Sequence, residues 1–175
     1  MGGQRAMDPG YSMPQVTEQK NRPRILILDD EEMILTSLSA FLALETDYEV
    51  VTFLSPLEAL DYIQNNNVDL VISDYLMPKM DGVSFLAKVK EIHPQVTRIL
   101  LTGYADKENA IRAINEVGLF QYIEKPWNND DLKIAIRNGL EKRQLLRELQ
   151  TKMEEVQRVY ADLQKLHREI LKAFA

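Results

Sequence analysis

Carboxylates, a hydroxyl and a lysine follow four apolar runs of the chain, directly where each run ends. Asp29 and Asp30 follow the first run, Asp74 the third, Thr102 the fourth and Lys125 the fifth. Clustered carboxylates repel one another unless a cation lies between them. Hard oxygen ligands without His or Cys favour Mg²⁺, which a phosphoryl oxygen can complete. A lysine and a hydroxyl beside that cation would bind the remaining phosphoryl oxygens, so these residue types indicate phosphoryl transfer onto a carboxylate.

Each of these residues also has an ordinary structural interpretation. An Asp-Asp pair after a strand most often caps the helix that follows. Thr102 and Gly103 could form a simple turn, and Lys125 could be one more surface lysine. The joint occurrence of these residues at four strand ends favours the chemical interpretation over the separate structural ones.

Apolar runs of strand length alternate with segments of helical period from residue 24 onward. The predicted strands are 24–28, 48–53, 68–73, 98–101 and 120–123. The predicted helices are 31–45, one opened by Ser55-Pro56, one after Gly82, 106–117, and one that begins near Asn129. This alternation predicts an α/β fold in which helices cover both faces of a parallel sheet. Ligands of such sheets bind outside the carboxyl ends of the strands, where the strand order reverses.

Four short motifs, in their order and spacing, resemble the receiver domain of two-component response regulators. They are Ile25-Leu26-Ile27-Leu28-Asp29-Asp30-Glu31, Asp74-Tyr75-Leu76-Met77-Pro78-Lys79-Met80-Asp81-Gly82, Leu101-Thr102-Gly103-Tyr104 and Tyr122-Ile123-Glu124-Lys125-Pro126-Trp127. The resemblance implies a five-stranded, doubly wound parallel sheet of the flavodoxin-like receiver type over residues 23–140.

The resemblance also implies a role for the acidic residues. Asp74 would accept a phosphoryl group from the phosphohistidine of a histidine kinase or a phosphotransfer protein. Asp29, Asp30 and Asp74 would bind Mg²⁺ together with the backbone carbonyl of Leu76. The chain would catalyse its own phosphorylation without being an enzyme, and any output enzyme would lie outside it.

Three further positions match residues of the receiver family that contact or sense the phosphoryl group. Thr102 and Lys125 would contact the phosphoryl oxygens, and Thr102 and Tyr122 would form the switch. Taken alone, Tyr122 reads as a half-buried aromatic residue of an edge strand. Leu76 and Tyr104 flank the path of the water that would attack the phosphoryl group, so we hypothesise that they prolong its lifetime.

The last predicted helix continues far beyond the receiver-like segment. Residues 129–175 contain no proline, and the stretch 141–175 predicts a coiled-coil signalling helix that leads to an output domain. Its apolar seam, in steps of three and four, is formed by Leu146, Leu149, Met153, Val156, Tyr160, Leu163, Ile170 and Phe174, with His167 in the same row. This face is widened by a second column, which consists of Leu145, Lys152, Val159, Leu166 and Ala173. Because a lone helix cannot bury such a stripe, we expect a homodimer; a larger bundle or packing against another domain stays open.

Composition excludes several classes of protein. The 175 residues include no cysteine, which excludes a disulfide-stapled scaffold and thiol chemistry. The formal net charge of −6 argues against direct nucleic-acid binding, and no apolar run reaches membrane-spanning length. Residues 1–22 have no apolar signal region and read as a flexible lead-in or an expression remnant, so we expect a cytoplasmic protein.

Two alternatives from other functional classes remain open at the level of sequence. One is a phosphatase with an aspartyl-phosphate intermediate, which would need a second aspartate where Leu76 stands. The other is a degenerate receiver that serves only as a dimerising scaffold, against which the intact set of acidic, hydroxyl and lysine residues argues.

Overall fold

The structure, a computed structural model, describes residues 21–175 except the side chain of Tyr104. The strands are β1 (Arg24–Leu28), β2 (Glu49–Phe53), β3 (Leu70–Asp74), β4 (Thr97–Thr102) and β5 (Gln121–Glu124). The α-helices are α1 (Glu32–Glu45), α2 (Pro56–Asn65), α3 (Gly82–Ile92), α4 (Lys107–Val117) and α5 (Asn129–Ala173). The predicted alternation of strands and helices is confirmed over this part of the chain. The prediction for residues 1–22 lies almost entirely outside the described residues.

All five strands pair in parallel, in the order β2-β1-β3-β4-β5. The chain runs outward from β1 to β2, returns to β3 on the other side of β1, and continues to β5. The strand order therefore reverses between β1 and β3, which is where a parallel sheet opens a crevice for a ligand. The predicted five-stranded, doubly wound sheet of the flavodoxin-like receiver fold is confirmed.

Alternating side chains of the central strands enter two separate cores. Ile25 and Ile27 pack with residues of α1 and α5, such as Leu38 and Ile136. Leu26 and Leu28 pack on the opposite face with residues of α2, α3 and α4, such as Phe85. Full burial of a Leu or Ile side chain contributes roughly 1.5–3 kcal/mol, so these two layers fix the register of the sheet and the places where its strands end.

Several element boundaries differ from the prediction by one or two residues. β3 begins at Leu70 rather than at residue 68, because the Asp69 carboxylate already accepts a hydrogen bond from the backbone amide of Arg24. Asp74 is the last residue of β3 instead of the first after it. A short 3₁₀ helix, Tyr104–Asp106, precedes α4. Ser55 stands at the N-cap of α2 as predicted, but its hydroxyl makes no capping hydrogen bond.

The last helix is a single element of 45 residues, about 70 Å long at ~1.5 Å per residue. Asn128 caps it, since its side-chain oxygen accepts hydrogen bonds from the amides of Asp130 (2.8 Å) and Asp131 (3.3 Å). The helix packs on the sheet through Leu132, Ala135 and Ile136, and then runs past the base of the domain. Over residues 21–175, no helix combines the length and apolarity that a membrane crossing requires.

The apolar stripe on the far part of α5 lies in solvent in the single chain. Every residue from 144 to 175 is exposed. The exposed fraction of the predicted seam ranges from 45% at Leu146 to 87% at Phe174. The helix is thus present where it was predicted, with its apolar face uncovered, while the coiled coil itself stays a prediction.

Candidate functional site

Three carboxylates meet at the crevice between β1 and β3. Asp29 follows β1 and is fully buried, Asp74 ends β3 with 6% of its surface exposed, and Asp30 is exposed. One oxygen of each carboxylate lies within 4.8 Å of the others, so the three could share one cation. This acidic cluster is the one predicted from the strand ends. Its oxygen-only ligands suit a hard divalent ion.

Lys125 connects the two buried carboxylates of this cluster. Its Nζ lies 2.9 Å from Asp74 Oδ1 and 3.2 Å from Asp29 Oδ2. The backbone holds this lysine in place, because the Lys125 amide donates to the Thr102 carbonyl oxygen (2.8 Å) and so continues the pairing of β4 with β5. The ammonium group therefore neutralises part of a repulsion that would otherwise oppose the fold.

The pKa values of Asp74 and Lys125 reflect the opposing effects of burial and of neighbouring charges. Burial raises the pKa of Asp74, the hydrogen bond from Lys125 works against that rise, and the charge of Asp29 adds to it. Burial by itself lowers the pKa of Lys125, but the hydrogen bond to Asp74 and the two negative charges outweigh burial and raise it. Asp74 is thus a carboxylate whose ionised form is held at a cost to the folded state, next to a lysine that stays protonated.

The backbone around Asp74 is fixed by short-range contacts. The Tyr75 amide donates to Asp74 Oδ1 (2.9 Å), and the buried Ser73 hydroxyl donates to the Asp74 carbonyl oxygen (2.9 Å). The Gly82 amide donates to the Tyr75 carbonyl oxygen (2.8 Å), which brings the start of α3 back against the strand. A Cβ on Gly82 would lie 2.0 Å from the Asp74 carbonyl oxygen, so only glycine permits this loop.

Asp29 combines the structural and the chemical interpretation given above. Its Oδ1 accepts a hydrogen bond from the Glu31 amide (2.9 Å), which resembles a cap at the start of α1. Its Oδ2 accepts from Lys125. Since each carboxylate oxygen accepts one hydrogen bond, the residue that orders the loop also pairs with Lys125.

The remaining predicted residues lie around this centre without joining it. Thr102 is buried at the end of β4, beside Asp74 in the sheet, and its hydroxyl donates to the Gly103 carbonyl oxygen (3.2 Å) rather than to the carboxylates. Tyr122 is half-buried on β5, and the side chain of Leu76 is 63% exposed. The side chain of Tyr104, the other residue predicted to affect the phosphoryl lifetime, lies outside the described part of the chain.

Sequence reasoning missed three contributors to the site. Ser73 and Gly82 act through backbone contacts that no residue type announces, although a glycine directly after the helix-capping Asp81 was a possible signal. The third is an ion pair between Lys107 Nζ and Glu124 Oε1 (3.0 Å), which joins the start of α4 to the residue before Lys125. These contacts position the acidic cluster rather than form part of it.

The part of the chain that carries the acidic cluster is similar to known proteins. The family model described as "Response regulator receiver domain" matches residues 25–137. The hydrogenase transcriptional regulatory protein HoxA of Cupriavidus necator is 36% identical over 117 residues, which cover 67% of this chain and 24% of that protein. The chain thus spans about a quarter of the length of the hydrogenase regulators that it matches.

Solved structures give the same picture at the level of the fold. A response regulator receiver domain protein from Clostridium thermocellum has a TM-score of 0.67 at 40% identity, over 71% of this chain and 98% of that one. The signal receiver domain of an HD domain-containing protein from Pseudomonas fluorescens Pf-5 has a TM-score of 0.66 at 38% identity, over 70% and 98%. Both likenesses cover the other chain almost entirely, so the match is to a complete module.

The raised pKa of Asp74 predicts that Asp74→Asn stabilises the protein at neutral pH without divalent cations. The ionised carboxylate is less favourable in the folded state than in the unfolded chain, so its removal should increase the free energy of unfolding. As pH falls through the raised pKa, wild-type Asp74 becomes protonated and the gain should shrink. Urea unfolding in EDTA between pH 7 and pH 4 measures both effects.

Asp61→Asn is the matched control, because it removes one negative charge from an exposed position on α2. Asp61→Asn should leave the urea midpoint at pH 7 nearly unchanged. A lower midpoint for Asp74→Asn than for the wild type at pH 7 would contradict the prediction.

Proposed function

This chain belongs to the response regulator receiver family, and on that premise we propose that Asp74 accepts a phosphoryl group in a Mg²⁺-dependent reaction. The observation that carries the proposal is the position of Lys125, which bridges Asp29 and Asp74 beside the cluster of three carboxylates. A buried acceptor, a cation-binding group and a fixed positive charge are what phosphoryl transfer to a carboxylate requires.

The transfer forms one bond to phosphorus and breaks another. Among the described residues, the Tyr75 amide and Lys125 both contact Oδ1 of Asp74, so Oδ2 is the oxygen that attacks. The P–O bond to Oδ2 forms as the P–N bond of the donor phosphohistidine breaks, and the imidazole leaves with the electron pair and takes up a proton. Asp74 stays in its strand throughout, since Ser73 and Gly82 fix its backbone.

The acidic cluster fits a Mg²⁺ ion by the type and spacing of its ligands. Asp29, Asp30 and Asp74 would hold the ion together with the backbone carbonyl of Leu76. When bound, Mg²⁺ neutralises charge on the phosphoryl oxygens during the transfer. Lys125 then holds a phosphoryl oxygen with the ammonium group that pairs with Asp74 in the unmodified protein.

Thr102 and Tyr122 form the proposed switch. The Thr102 hydroxyl, which donates to the Gly103 carbonyl oxygen, would turn to a phosphoryl oxygen once Asp74 carries the group. Tyr122 packs half-buried against the core on the α2, α3 and α4 side and would follow that movement. The supporting physical argument is that a new dianionic group next to a buried hydroxyl favours the conformation in which the hydroxyl donates to it.

The proposed partners are a phosphodonor and a second copy of the chain. A histidine kinase or a phosphotransfer protein supplies the phosphoryl group, and the α5 stripe pairs two chains and transmits the signal to whatever output the full protein carries. Two of the three similar proteins named above are a hydrogenase transcriptional regulator and an HD domain-containing protein, so the shared step is that of the receiver. Leu76, in place of a second aspartate, disfavours the phosphatase alternative.

With Asp74 as the phosphoryl acceptor, we expect the protein to gain one phosphoryl group from a small acyl phosphate, such as acetyl phosphate, only when Mg²⁺ is present. Asp74→Asn should abolish the gain because it removes the nucleophile, and Asp30→Asn should raise the Mg²⁺ concentration required because it removes one ligand. Intact-protein mass spectrometry at neutral pH measures the modification. Asp61→Asn serves as the control, and full modification of Asp74→Asn would refute the proposal.

The bulky side chains of Leu76 and Tyr104 predict slow loss of the phosphoryl group, because they should obstruct the path of the attacking water and neither is a carboxylate or an amide. The double change Leu76→Asn with Tyr104→Glu supplies an amide and a carboxylate at these places and should accelerate dephosphorylation, by up to about 10²-fold at the low end of general acid–base assistance. The decay of the phosphorylated mass after removal of the donor gives the rate. An unchanged rate would show that these positions do not control the lifetime.

The exposed stripe predicts a homodimer that Val156→Lys disrupts, because two lysines would face each other across the seam. Light scattering on a sizing column should give the dimer mass for the wild type and the monomer mass for the variant. Thr151→Lys adds the same charge outside the two apolar columns and should remain dimeric. Runs with Mg²⁺ and beryllofluoride distinguish assembly on activation from rearrangement of a standing dimer, and a wild-type monomer under all conditions would refute dimerisation.

A further inference from the structure

Asp69 gathers three elements at the base of the sheet, the edge opposite Asp74. Its amide donates to the Arg24 carbonyl oxygen (2.8 Å), and its carbonyl oxygen accepts from the Thr97 amide (3.3 Å). Its Oδ2 accepts from the Arg24 amide (2.7 Å), and its Oδ1 forms an ion pair with Nη1 of Arg143 on α5. All four polar groups of Asp69 are used, so the starts of β1 and β4 and the long helix are tied to one residue.

Arg143 belongs to the part of α5 that leaves the domain. It is buried, with 9% of its surface exposed, whereas every residue after it is exposed. A buried arginine that pairs with a carboxylate constrains the helix more than a surface ion pair does, because separation of the two would leave an uncompensated charge in a site with little water.

The helix backbone itself touches the sheet one turn earlier. The Thr97 hydroxyl donates to the Gly139 carbonyl oxygen (2.8 Å), which leaves that carbonyl bound to β4. A Cβ at Gly139 would lie 2.7 Å from Thr97 Cγ2 and 3.2 Å from Leu70 Cδ1, so the close approach depends on glycine. Gly139 is the single glycine of α5, although glycine weakens a helix interior by about 1 kcal/mol relative to alanine.

Two weaker contacts extend the same attachment. Lys142 Nζ lies 5.3 Å from the ring centroid of Phe120, and the Gln95 side chain donates to the side-chain oxygen of Gln150. The attachment therefore continues to Gln150, about two turns past Arg143, the last buried residue of α5. We use the term basal clamp for the set of Asp69, Thr97, Gly139 and Arg143.

We propose that the basal clamp makes α5 one rigid lever that rotates on the receiver about a pivot at Gly139. Asn129 lies ten residues before the pivot and Ala173 lies 34 residues after it. At about 1.5 Å per residue, the two arms are roughly 15 Å and 50 Å long. A sideways shift of the α5 start beside Lys125 would thus appear at the far end about threefold larger and in the opposite direction.

The contacts of the basal clamp are present in the unphosphorylated protein. The shift of the α5 start, which the lever would transmit, rests on the proposed function. The lever requires α5 to stay straight on both sides of Gly139 and to turn as one body. A hinge at residues 140–141 would instead let the helix swing and would lose any displacement of its start. The basal clamp is therefore a device for transmission, separate from the chemistry at the opposite edge.

The absence of cysteine from the chain permits a direct test. The full chain carries spin labels at Lys88→Cys on α3 and Lys165→Cys on α5, both exposed, and is diluted with unlabelled chain so that only distances within one chain are measured. Double electron–electron resonance should give one narrow distance distribution. Arg143→Met should broaden it roughly twofold or more, since the helix then samples several angles.

Arg147→Met is the matched control, because it makes the same change one turn further along α5 at an exposed position and should leave the distribution narrow. Gly139→Ala should shift or broaden the distribution, and Thr97→Ser in the same chain should reverse part of that change by removal of the opposing methyl group. If Arg143→Met does not fold, Asp69→Asn provides the same measurement with a smaller change.

A broad distribution in the wild type, or a narrow one in every clamp variant, would overturn the proposal. Addition of Mg²⁺ and beryllofluoride separates this failure from failure of the proposed function. A distribution that stays narrow but does not move would support the clamp and count against transmission from Asp74.

Discussion

The ion pairs of Lys125 with Asp29 and Asp74 are the interactions on which the acidic cluster at the carboxyl ends of the strands depends. The topology brings the ends of β1 and β3 together at the reversal of strand order, so it forces two buried carboxylates into one crevice. Without a cation, that arrangement would oppose folding. Lys125, which follows the edge strand β5, supplies the positive charge. The hydrogen bond from its backbone amide to the Thr102 carbonyl oxygen fixes the position of this lysine beside the carboxylates.

The same arrangement explains why the acceptor can be both stable and reactive. Burial still raises the pKa of Asp74 despite the hydrogen bond from Lys125, so further positive charge beside Asp74 would favour its ionised form. A divalent ion and the electrophilic phosphorus would both supply such charge. The folded state thus holds the reactive carboxylate at some expense in stability, as functional sites commonly do.

The sequence predicted the site residues that a local pattern marks, such as the end of an apolar strand. It could not predict contacts between residues that are far apart along the chain. Asp29, Asp74 and Lys125 could be found because each follows an apolar strand and the sheet aligns the strand ends. Arg143 could not be found, since on a polar helix it looks like any surface charge, and its partner Asp69 lies 74 residues away inside what looked like a strand. The orientation of the Thr102 hydroxyl was equally hidden, because a rotamer depends on neighbours that the sequence does not specify.

The uncovered stripe of α5 has a consequence for the folding of the helix itself. Residues 144–175 bury nothing in the single chain, and solvated helices gain little stability from propensity alone, so order in this segment draws on whatever covers its apolar face. Any partner that binds this apolar face stabilises the helix by mass action. With the proposed homodimer as the cover, the helical content of this segment would vary with protein concentration, and dilution would fray the helix from its C-terminal end back toward Gln150. Folding of this segment and assembly of the protein are then one equilibrium.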